Sequence, residues 1–83
     1  MSKHGDTYEK VVGRQSFSNI RFEDLRQLLT RLGFHERVKG SHHILTKDGI
    51  AEIINLQAKS GQAKSYQVRQ VRGILIRYQI QKP

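Results

Sequence analysis

The chain has 83 residues, no cysteine and one proline, and its 15 Lys and Arg against 7 Asp and Glu leave a formal net charge of +8. A chain this short makes one domain and buries only about 60% of its unfolded surface, which excludes a deep substrate cavity, while the missing cysteines exclude disulfides and thiolate metal sites. The pI near 10.3 exceeds the value of about 9 that marks nucleic-acid-binding domains, so a polyanionic partner is expected.

No stretch approaches the roughly 20 apolar residues of a membrane span, and the start Met1-Ser2-Lys3-His4-Gly5-Asp6 lacks the apolar core of a signal peptide. A soluble, cytoplasmic protein with no membrane partner is expected. Residues 1–19 are polar and read as an N-terminal extension, a loosely attached arm with a short helix at Thr7-Tyr8-Glu9-Lys10-Val11-Val12 that Gly13 stops. Tyr8, Val11 and Val12 form its small docking stripe.

Phe22, Leu25, Leu28, Leu29 and Leu32 recur at the spacing of one face of a helix. Ser18 or Asn19 is expected to cap that helix, Glu23 and Asp24 suit the positive end of its dipole, and Gly33 is placed to end it. Arg26 and Arg31 are left for solvent or a partner. Phe34-His35-Glu36-Arg37-Val38-Lys39 then alternates as a half-buried strand does, with His35, Arg37 and Lys39 on its open face.

His42 to Thr46 is expected to be a second strand, Lys47-Asp48-Gly49 the turn closing a hairpin, and Ile50 to Leu56 a third strand. Neighbours on a strand point to opposite faces, so His42 and His43 do not make an adjacent pair of metal ligands, and Ile44-Leu45 leaves open which of the two faces out. Gln57 to Lys64 reads as a basic surface loop. Ser65 is expected to cap a last helix with Val68, Val71, Ile74, Leu75 and Tyr78 as its apolar stripe. The predicted architecture over residues 20–83 is α+β: helix, three-stranded antiparallel sheet, helix, with both helices on one face and the other face open and cationic.

Candidate chemistry gathers at Gly40-Ser41-His42-His43. Imidazole both gives and takes a proton near neutral pH, and the glycine lets a ligand approach the main chain. A tight turn entering a strand accounts for the same four residues without any chemistry. The sequence has no nucleophilic cysteine, Gly-x-Ser-x-Gly elbow, phosphate loop or His-Glu-x-x-His helix, and its scattered carboxylates do not suit a two-metal site. What remains is RNA cleavage without a metal or other cofactor, in which the substrate supplies its 2′-hydroxyl as nucleophile. His42 would move the proton, with Lys39, Lys64 and the backbone amides near Gly40 holding the phosphate. DNA, lacking that hydroxyl, would not be a substrate.

Between Asn19 and Ile80 the chain resembles the HicA toxins of bacterial type II toxin-antitoxin systems, small mRNA interferases. The resemblance runs through Ile20-Arg21-Phe22-Glu23-Asp24-Leu25, Leu32-Gly33-Phe34 and the signature Val38-Lys39-Gly40-Ser41-His42-His43-Ile44. It continues in Ile54-Asn55-Leu56-Gln57, Ala63-Lys64-Ser65-Tyr66-Gln67-Val68 and Val71-Arg72-Gly73-Ile74-Leu75. It implies a fold like the double-stranded-RNA-binding domain, a HicB-type antitoxin covering the active surface, and His42 as catalytic residue. Lys39, Gly40, Ser41, His43, Lys59 and Lys64 are the implied RNA contacts, with Gln57 a further one where many relatives carry His-Pro after the third strand. A non-catalytic RNA-binding module of the same fold and an interaction domain for an acidic protein are the alternatives.

Overall fold

A computed structural model describes residues 3–13 and 17–83. Helix α1 (Lys3–Val12) is followed by α2 (Phe22–Arg31), strands β1 (His35–Lys39), β2 (His42–Thr46) and β3 (Ile54–Leu56), the short strands β4 (Ala58–Lys59) and β5 (Gln62–Ala63), and helix α3 (Ser65–Arg77). The larger sheet is antiparallel in the order β1-β2-β3, and β4 and β5 form a separate hairpin. The protein is thus a small α+β domain.

Leu45, Ile54 and Leu56 from one face of the sheet meet Leu25, Leu28 and Leu29 of α2, Val68, Val71, Ile74 and Leu75 of α3, and Val11 of α1 in a single core. The stripe predicted for α2 is the stripe that is buried, apart from Leu32, which is half-buried. The helix ends where expected: Gly33 takes φ +99, and the N–H groups of Gly33 and Phe34 return to the carbonyls of Thr30 and Leu29. That pair of bonds is a Schellman cap, whose left-handed residue favours glycine. Its start differs from expectation, since the chain enters α2 through Arg21 in extended conformation rather than through Ser18 or Asn19. Likewise α3 is entered through Lys64, whose N–H bonds the Gln67 side-chain oxygen, and Ser65 is its first helical residue.

Three further expectations change. The segment read as a loosely attached arm is a ten-residue helix whose Thr7 and Val11 are buried against the rest of the domain. Its middle is tied to the C-terminal tail, the Tyr8 hydroxyl donating to the Ile80 carbonyl at 2.7 Å and Lys82 pairing with Glu9 at 2.8 Å. Positions 1, 2 and 14–16 of the predicted 1–19 extension lie outside the described residues. The third strand is shorter than its apolar run: the 47–50 turn closes through Ile50 N–H to the Lys47 carbonyl, but pairing with β2 begins only at Ile54. Glu52 instead accepts hydrogen bonds from Arg77 and from the Tyr78 hydroxyl, which holds this stretch against the end of α3. The loop expected over 57–64 contains the β4–β5 hairpin, anchored by Phe22 N–H to the Gly61 carbonyl and Ala63 N–H to the Ile20 carbonyl.

Arg26, expected to face solvent or a partner, is an ion-pair hub. It contacts Glu23 and Glu36 at 2.6 Å each, joining α2 to β1. The Arg26 guanidinium holds the Glu23 carboxyl down to about 2, from an ordinary value near 4.5. A carboxyl lowered on folding adds stability above its unfolded pKa and loses it as pH falls toward the folded value. Melting temperatures of the parent protein should therefore fall more steeply between about pH 4.5 and 2 than those of Glu23→Gln, by a small margin because the pair is partly exposed. Parallel curves for the two proteins would remove this role from Glu23.

Candidate nucleic-acid interface

The β1–β2 ladder fixes what each face of the sheet displays. Lys39 pairs with His42, Val38 with His43, Arg37 with Ile44 and Glu36 with Leu45. Because Leu45 is buried, its face is the one turned to the helices, although Val38 on that face stays 61% exposed and β1 is less buried than its alternation predicts. The alternate set, His35, Arg37, Lys39, His42, Ile44 and Thr46, points away. Two residues, Gly40 and Ser41, connect the strands, with Gly40 at φ +61 as the first of them. A two-residue loop of this kind suits the twist of a hairpin and admits glycine most readily at that place.

The two histidines consequently lie on opposite faces. His42 is exposed, and its Nδ1 is 3.0 Å from Oδ1 of Asn55 on β3. An amide oxygen only accepts, so in this pairing Nδ1 carries the proton, and Nε2 is the nitrogen with a lone pair in the neutral ring. His43 turns toward α2. Its ring packs edge-on against Phe22 with centroids 4.9 Å apart, and its Nδ1 meets Glu36 at 2.7 Å, extending the network of Arg26 and Glu23. The structure therefore does not bring His43 to the face that His42 occupies.

A chain of side chains links the turn to the start of α3. Lys64 Nζ donates to Oε1 of Gln57 at 3.3 Å, and Nε2 of Gln57 donates to the Ser41 hydroxyl at 3.0 Å. Lys39 stands directly across the ladder from His42, and no carboxylate belongs to the outward-facing set of these strands. Lys59, on the β4–β5 hairpin, shares with Lys64 a depression of about 670 Å³. A second depression, of about 260 Å³, is lined by His42, Ile53, Asn55, Gln57, Tyr66 and Gln70. The two adjoin at Gln57 and Tyr66.

Of the residues singled out in the sequence, the structure thus groups Lys39, Gly40, Ser41, His42 and Lys64, with Lys59 beside Lys64 in the neighbouring hollow. Asn55 and Tyr66 escaped the sequence reading as site residues. An Asn between Ile54 and Leu56 signals an outward position on a strand, but its meeting with His42 depends on pairing between β2 and β3. The assembled groups can accept a proton at one imidazole nitrogen and hold an anion beside it with cations and neutral donors. Comparison with known proteins returns no matching family model, curated protein or solved structure. Among the described residues, no helix is long and apolar enough to cross a membrane.

Proposed function

We propose that this protein is a metal-independent endoribonuclease acting on mRNA, a cytoplasmic toxin of the HicA kind neutralised by a HicB-type antitoxin. The order helix, three antiparallel strands, helix from α2 to α3 supports a fold like the double-stranded-RNA-binding domain. The observation that carries the reading is the setting of one ring: Asn55 occupies Nδ1 of His42, the residue is exposed on the sheet face turned away from the helices, and that face is cationic.

RNA brings its own nucleophile to such a face. As the ribose 2′-oxygen forms its bond to phosphorus, its proton passes to Nε2 of His42. The bond from phosphorus to the 5′-oxygen breaks, and that oxygen takes a proton from water. The products are a 2′,3′-cyclic phosphate and a 5′-hydroxyl, and the imidazolium returns its proton to solvent. Lys39, Lys64 and Lys59 supply positive charge to the phosphate, and the Ser41 hydroxyl and the backbone around Gly40 supply neutral donors.

An RNA oligonucleotide should be cut in the presence of EDTA to fragments ending in 2′,3′-cyclic phosphate. Its 2′-O-methyl counterpart should bind and remain intact, because the nucleophile is blocked. Fragments with 5′-phosphate ends, or cleavage of the methylated strand, would overturn this mechanism. Salt-sensitive binding of unmodified RNA with no cleavage would leave the non-catalytic RNA-binding module.

A further inference from the structure

We infer that Tyr66 is a stacking platform for an unpaired base, and that the strand engaged beside His42 is single-stranded RNA. Tyr66 lies in the first turn of α3, 63% exposed, and its side chain has no hydrogen bond, ion pair or ring contact among the described residues. It belongs to the rim of both hollows, with Lys59 and Lys64 on one side and His42 and Asn55 on the other. An aromatic face left open between a cationic groove and an imidazole matches the way single strands are held, their phosphates tracking cations while their bases stack on rings.

Two neighbours complete the seat. Ile53, also exposed, lines the His42 hollow and gives a base an apolar wall. Gln70 follows Tyr66 by one helical turn and lines the same hollow, and its side-chain amide makes no hydrogen bond among the described residues, so it is available to a base edge. The other amides of the hollow are engaged: Asn55 with His42, Gln57 with Ser41 and Lys64, and Gln67 with the Lys64 N–H. Duplex RNA cannot use this seat, because its bases are stacked on one another and it offers proteins its backbone and 2′-hydroxyls. The inference rests on the ribonuclease reading only for the placement of the ribose next to His42.

The test uses the full chain carrying His42→Ala, so that RNA stays intact, and a single-stranded oligoribonucleotide containing 2-aminopurine, whose fluorescence falls on stacking. Adding Tyr66→Ala should weaken binding of the single strand by about five- to a hundredfold and abolish the quench. Tyr66→Phe should retain both, since the hydroxyl makes no bond. Affinity for a blunt duplex of the same sequence should change less than about twofold in either variant. An unchanged single-strand affinity with the quench intact, or an equal loss for single strand and duplex, overturns the proposal. Failure of the parent protein to cut the oligonucleotide would reject the ribonuclease reading, while selective loss with Tyr66→Ala would still support the stacking role.

Discussion

His42→Ala is expected to lower RNA cleavage by about a hundred- to ten-thousandfold, the usual contribution of a positioned general base. The ring lies on the open face, and its removal leaves only the exposed Asn55 amide to be satisfied by water, so the fold and its melting temperature should hold. On the proposed toxin reading, growth arrest on expression should disappear with this substitution, while capture by a HicB-type antitoxin should persist. Asn55→Ala is the graded companion. Losing the bond that sets the tautomer and ring direction should reduce kcat about two- to tenfold with KM unchanged, the rate equivalent of one hydrogen bond worth ~0.5–1.5 kcal/mol. Full activity in folded His42→Ala would remove the imidazole from the mechanism.

Val11→Asp should destabilise the domain by about 3–5 kcal/mol, because it places an unpaired carboxylate where the native side chain is wholly buried. In a domain of this size each kcal/mol moves the melting temperature by roughly 4–8 °C, so a fall of at least about 12 °C is expected. The same change in a loosely attached segment would leave the transition in place. Thermal melts followed by circular dichroism therefore decide whether α1 belongs to the cooperative unit, and an unshifted transition would detach it.

The elements that were legible in the sequence are those whose signal is local. The Leu25, Leu28 and Leu29 stripe and the presence of a strand at His35–Lys39 each need only a single element's periodicity, whereas the burial expected of Val38 in that strand does not occur. What misled was decided elsewhere in the chain. Ile50 to Ile53 looks like strand, yet Glu52 is drawn to Arg77 and Tyr78, far along the sequence. The polar composition of α1 hides that Thr7 and Val11 find partners in the core and that Tyr8 reaches Ile80. In the site, residue types pointed to His42 and Lys64, but the outward direction of His42 needed strand pairing. The junction at Gln57 and Tyr66 needed β3 and the start of α3 to be brought side by side.

The connection between β1 and β2 works as a phase setting for the whole sheet. One more residue there, with β1 held in place, would invert β2: His42, Ile44 and Thr46 would turn inward and Leu45 would be put into water. The histidine doublet would then trade places, the solvent-facing ring entering the apolar interior and the other emerging without its acidic companion. The length of that connection, as much as the identity of the imidazole beside it, therefore encodes which chemistry this protein shows to the outside.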